Sequence, residues 1–151
     1  MQILFDHQKF TDQNYGGITR YFANLALNLH NLEQDVKIIA PIHSNEYLLD
    51  LSHNIVVGRY TNFSPHRLRN MLSKANTHFS QYYERRYNPD IVHETYYSDT
   101  RILKSQCKRV LTVYDMIHER FNSSFSSTDN TIELKKKAIS RADHIIAISN
   151  S

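Results

Sequence analysis

Six short runs rich in β-branched and other apolar residues punctuate the chain, and most segments between them carry apolar residues at helical spacing. The runs are Gln2–Asp6, Val36–Ala40, Ile55–Val57, Asp90–Glu94, Arg109–Tyr114 and His144–Ser149. Pro41 is expected to stop the second and Gly58 to close the third. After a long polar loop, Ile18, Tyr21, Phe22, Leu25, Leu29 and Leu32 predict a helix of roughly four turns that opens at Gly16-Gly17. A short helix is expected from Ser44 to Leu51. Ser64-Pro65 opens a long one, with Leu68, Met71, Leu72, Ala75, Phe79 and Tyr82 on a single apolar face, that ends before Asn88-Pro89. Its aromatics Phe79, Tyr82, Tyr83 and Tyr87 read as core and rim packing. Arg101–Ser105 reads as a further short helix, and Asn130-Thr-Ile-Glu133 resembles a capping box opening a last helix to Ala142. Strands alternating with helices in this way, joined by right-handed crossovers, give an α/β fold: a Rossmann-like doubly wound, mostly parallel sheet flanked by helices.

The 151 residues, 40% hydrophobic and 22% charged, suffice for one domain over 1–151 with a real core and argue against disorder. A net charge of +3 is too mild to imply nucleic acid. Its cations fall in groups at Arg67/Arg69, Arg85/Arg86, Lys104/Lys108/Arg109 and Lys135–Lys137, read first as solvated helix faces and second as a surface toward an anionic membrane or lipid phosphate. Cys107 is the sole cysteine, so no internal disulfide forms, which suits a reducing cytosol. Met1–Asp6 enters a strand directly without the pattern of a signal peptide, and no apolar run reaches membrane-spanning length. A cytoplasmic location is expected, with any membrane contact peripheral at the inner face.

Polar residues gather where the strands end. The first strand delivers Asp6 and His7, the fourth His93 and Glu94, the fifth Tyr114, Asp115 and His118, and the sixth Ser149 and Asn150. In an open parallel sheet these loops face one crevice at the switch point. Gly16-Gly17 lies where a helix N-terminus offers free N–H groups to an anion, though a ligand-free strand-to-helix turn fits the same residues. The GxGxxG dinucleotide pattern, the P-loop, HExxH and the GxSxG elbow are all absent, and no metal is expected. His30, His43, His53, His66 and His78 read as surface residues and His144 as structural. An Asp or His placed to bind or act on sugar hydroxyls is compatible with every feature.

Five stretches in register, Ile3–His7, Gly16–Leu27, Asp90–Glu94, Arg109–Phe121 and Arg141–Ser149, together resemble the N-terminal domain of a family 4, retaining GT-B glycosyltransferase. The resemblance implies one half of a GT-B fold and transfer of a sugar from a nucleotide-sugar to a glycan or lipid-linked acceptor, as in polysaccharide biosynthesis. The nucleotide-sugar is then the donor substrate, and no further cofactor is implied. By position, Gly16 and Gly17 would approach the donor diphosphate with Arg20 assisting, His93 and Glu94 would join the substrate site, and Tyr114, Asp115 and His118 would carry the catalytic end of the fifth strand. Many members have His-Asp or His-Thr where this chain has Tyr114-Asp115. Either Asp115 and His118 take over that role, or the family's usual contact is missing. The C-terminal donor domain, with its Glu-x7-Glu type motif, is expected to be absent, leaving the chain alone inactive or nearly so. Its face is expected to meet that domain or a second copy. A non-catalytic interaction module on the same fold and an anion-binding or nucleic-acid-binding domain are the competing readings.

Overall fold

The computed structural model of the chain describes residues 1–62, 66–99, 107–126 and 128–148, with side chains described except at 66–70 and 122. Six strands, β1 (Gln2–Phe5), β2 (Asp35–His43), β3 (Val56–Tyr60), β4 (Ile91–Glu94), β5 (Lys108–Val113) and β6 (His144–Ala147), form one sheet. Its order is β3-β2-β1-β4-β5-β6 and every pairing is parallel, so the predicted doubly wound sheet forms and is wholly parallel. Strand order reverses between β1 and β4, which fixes the switch point there.

The helices are α1 (Gln8–Asp12), α2 (Gly17–Asn31), α3 (His66–Tyr87), α4 (Ile117–Arg120) and α5 (Thr131–Arg141). Helix α2 covers one sheet face, where Phe22 and Ala26 join Ile3, Phe5, Phe10, Val36 and Ile38 in the largest buried cluster. On the opposite face Tyr83 and Tyr87 of α3 pack on Leu4, Ile39 and Val92, while Ala138 of α5 packs on Leu111 and Tyr97. Each fully buried large side chain, such as Phe5 or Phe22, contributes about 1.5–3 kcal/mol by leaving water.

Several local expectations are corrected. Strand β2 runs through Pro41 because its register with β3 shifts between Ile39 and Ile42, and a bulge tolerates a residue without N–H. Gly58 lies inside β3 at that bulge: a Cβ there would sit 1.8 Å from the Ala40 carbonyl oxygen. The Ser44–Leu51 segment holds only a 3-10 turn, Glu46–Leu48. Helix α5 lacks the capping box: Asn130 makes no side-chain cap, and Asp129 Oδ1 accepts from the Thr131 N–H at 2.8 Å instead. The polar loop after β1 contains α1, whose Phe10 is buried. Ser64-Pro65 and Arg101–Ser105 lie outside the described residues.

The largest correction concerns α3. Of its predicted apolar face Met71, Phe79 and Tyr82 are exposed by 66%, 52% and 61% and Leu72 and Ala75 are half-buried, while Asn76, Ser80 and Glu84 are buried. The bulge explains the inversion in part. Ile42, which re-enters the β3 ladder opposite Arg59 beyond the last residue paired with β1, donates its N–H to Asn76 Oδ1 at 3.0 Å, and its carbonyl accepts from Asn76 Nδ2 at 2.8 Å. One amide thereby satisfies both backbone groups.

Candidate functional site

At the switch point Asp6 is a structural pin. Its buried carboxylate accepts from the Thr95 N–H at 3.0 Å, from the Thr95 hydroxyl, and from the Gln8 side chain at 2.6 Å. Burial pushes its pKa up, and these hydrogen bonds oppose that rise. The ends of β1 and β4 are thus tied together. Beside it, His7 lies within 3.3 Å of both the Thr11 and the Thr77 hydroxyls, and burial lowers its pKa to about 4.

Strand alternation sends the two β4 candidates to opposite faces. His93 enters the α2 core, its ring 5.4 Å from Phe5 and 5.0 Å from Phe22, with Nε2 2.9 Å from the Thr112 hydroxyl. Burial lowers its pKa to about 4, so it is neutral at pH 7. Glu94 points the other way into an ion-pair cluster. Its carboxylate meets Arg141 at 2.5 Å and Arg109 at 3.4 Å, while Arg109 also meets Glu84 at 3.0 Å. Arg141 further donates to the Ser98 hydroxyl at 3.1 Å. The cluster joins α3, β4, β5 and the end of α5. Desolvation outweighs the arginines and raises the Glu94 pKa. His43, expected at the surface, is also buried, and its pKa falls for that reason.

The glycine loop is stitched to the segment after β2. Asn45 Nδ2 donates to the Gln13 carbonyl at 2.6 Å, the Glu46 N–H to the Asn14 carbonyl at 3.0 Å, and the Ser44 hydroxyl to Asn14 Oδ1 at 2.6 Å. Neither glycine has positive φ. A Cβ on Gly16 would meet the Gln13 side chain at 2.3 Å, whereas one on Gly17 would meet nothing within 4 Å. The first turn of α2 therefore faces open space over its backbone. Arg20 is exposed one turn on, and Tyr15 is exposed beside the loop with its ring edge-on to Tyr47 at 5.6 Å.

The end of β5 opens a cleft of about 440 Å³ lined by Tyr114, Asp115, Met116, Arg120, Phe121 and Ile148, among others. Tyr114 leans on the first turns of α2, its ring 6.3 Å from those of Tyr21 and Phe22. Its hydroxyl is shut from water and makes no hydrogen bond of normal geometry among the described residues. Burial drives its pKa well above the usual phenol value, and a loose approach to Thr112 offsets this only slightly. Asp115 is exposed. One oxygen caps α4 by accepting from the Ile117 N–H at 3.0 Å, and its backbone carbonyl accepts from the buried Lys135 Nζ at 2.7 Å. Lys135 in turn pairs with Glu119 at 3.0 Å, which fixes α4 against α5.

Of the expected catalytic trio, Tyr114 and Asp115 share the cleft, and His118 does not line it. His118 stacks on Phe125 at 4.1 Å and pairs with Asp129 at 3.4 Å. Ser149 and Asn150 lie outside the described residues. Arg120, an exposed cation at the cleft, belongs to the polar stretch after β5 that the sequence marks, but no site role was expected of it. Among the described residues no three His, Cys, Asp or Glu side chains converge on a metal position. The cleft can take a ligand with an apolar ring face and polar edges. Met116, Ile117 and Phe121 supply apolar contact, Asp115 an acceptor and Arg120 a donor.

The family model described as Glycosyltransferase Family 4 matches residues 15–151. No curated protein matches the chain significantly.

Proposed function

This chain belongs to glycosyltransferase family 4, and from that premise we propose that it is the acceptor-side half of a retaining glycosyltransferase. A C-terminal donor domain completes the cleft, and a nucleotide-sugar gives its sugar to a glycan or lipid-linked acceptor. The acceptor oxygen bonds to the anomeric carbon as that carbon's bond to the donor phosphate oxygen breaks, and the hydroxyl proton passes to the departing nucleoside diphosphate, so negative charge grows on the leaving phosphate before the proton arrives. The open first turn of α2, with Gly17 and Arg20, is suited to that charge through its free N–H groups and a nearby cation. Asp115 holds the acceptor: one oxygen is committed to the α4 cap, and the exposed carboxylate retains capacity for sugar hydroxyls. Tyr114 fills the position of the histidine common in the family and presents its ring edge between this cleft and α2. Glu94, His93 and His118 act by holding structure.

The observation that carries this reading is the cleft between the ends of β5 and β6, on the same edge of a fully parallel sheet as the switch point, with Asp115 exposed in it. The test is release of free nucleotide from a panel of nucleotide-sugars by the polypeptide that carries this domain with its donor half. Asp115→Asn keeps an oxygen for the α4 cap and removes the charge. It should lower kcat/KM by about tenfold to a hundredfold, the worth of a hydrogen bond to a charged group. Full activity in Asp115→Asn would remove Asp115 from the site. No turnover and no nucleotide binding with any donor would favour a non-catalytic interaction module.

A further inference from the structure

Helix α3 spans His66–Tyr87, and its exposed stripe is apolar. Met71, Phe79 and Tyr82, spaced 8 and then 3 residues apart, fall on the face opposite the buried Asn76, Ser80 and Glu84. Phe79, Tyr82, His78 and Tyr83 border a shallow groove of about 370 Å³. Exposed Lys74, Arg85 and Arg86 lie within one or two turns of the stripe. The helix sequence also contains Arg67 and Arg69, and its only carboxylate is Glu84, which is buried against Arg109. Every exposed charge described on this helix is therefore positive, and the acid that would balance them is consumed inside the fold. Among the described residues no helix is long and apolar enough to cross a membrane. An aromatic stripe flanked by basic side chains matches the chemistry of a surface that is anionic outside and apolar beneath.

We infer that the outer face of α3 docks the protein on an anionic lipid bilayer, with Phe79, Tyr82 and Met71 entering the headgroup region and Lys74, Arg85 and Arg86 meeting lipid phosphates. The inference does not rest on the reaction proposed above. The charge pattern selects lipid over a second copy of the chain, since two such faces would oppose like charges at close range.

Flotation of the full chain with phosphatidylcholine vesicles, with and without about one-third phosphatidylglycerol, tests it. Binding to the anionic vesicles should exceed binding to neutral ones by at least about tenfold at low salt and fall as salt rises. Phe79→Ser with Tyr82→Ser, both at exposed positions, should cut binding about tenfold with circular dichroism and Tm unchanged. Lys74→Glu with Arg85→Glu and Arg86→Glu should do the same. Absence of vesicle binding, or equal binding by wild type and both variants, overturns the inference. So does a dimer, detected by ultracentrifugation, that Phe79→Ser with Tyr82→Ser dissolves while wild-type vesicle binding stays at the neutral-lipid level. Binding to single-stranded nucleic acid with none to vesicles overturns it equally.

Discussion

His93 and Glu94 are neighbours in sequence, and the pleat gives them different physics. His93 is neutral between Phe5 and Phe22, with a pKa lowered to about 4 from 6.5. The unfolded chain takes up a proton first as pH falls, so stability is full above about pH 6.5 and is lost toward pH 4. The same sign holds for His7. Each histidine removes about 2 kcal/mol between pH 7 and pH 5. Asp6 and Glu94, whose pKa values are raised, run the other way and gain on acidification. A comparison with His93→Gln isolates the histidine: Tm of the wild type should fall more steeply from pH 7 to pH 5 than Tm of the variant, by scanning calorimetry. Glu94→Ala removes the carboxylate shared by Arg109 and Arg141. Urea denaturation should show a loss of about 2 kcal/mol, below the range for a fully buried pair because both arginines keep other partners. The sequence placed both residues at a strand end and could not say which way each points, because β4 is only four residues long and buried on both faces.

At the scale of elements, periodicity located the long α3 and α2 but reported only that an apolar face exists. For α2 that face is the core side. For α3 it is the solvent side, because the inner side is occupied by Asn76 at the β2 bulge, Thr77 at His7 and Glu84 at Arg109. The bulge itself was hidden behind Pro41 and Gly58, which read as strand stops and instead mark a place where two backbones approach. Gly58→Ala forces a Cβ against the Ala40 carbonyl and should cost about 1–3 kcal/mol by chemical denaturation. An unchanged midpoint would mean that β3 shifts freely on β2. The short helices α1 and α4 escaped notice because four or five residues carry too little periodicity. Their positions are set by tertiary contacts, Phe10 in the core and Lys135 under the Asp115 carbonyl.

For the whole molecule the alternation of strands and helices was enough to anticipate the sheet and its switch point, and it brought the polar residues at the strand ends to one edge. What the alternation could not resolve is which of those residues hold the structure and which meet solvent. Asp6, His93 and Glu94 are built into the fold, whereas Gly17, Arg20, Asp115 and Arg120 are open along the edge. On the proposed function, acceptor binding centres on the cleft after β5. Amide chemical shifts of the labelled chain, titrated with a panel of oligosaccharide acceptors, test this most directly. Perturbations should concentrate on Tyr114, Asp115, Met116 and Ile148 and weaken in Asp115→Asn. Perturbations confined to other surfaces, or a titration unchanged by Asp115→Asn, would contradict it.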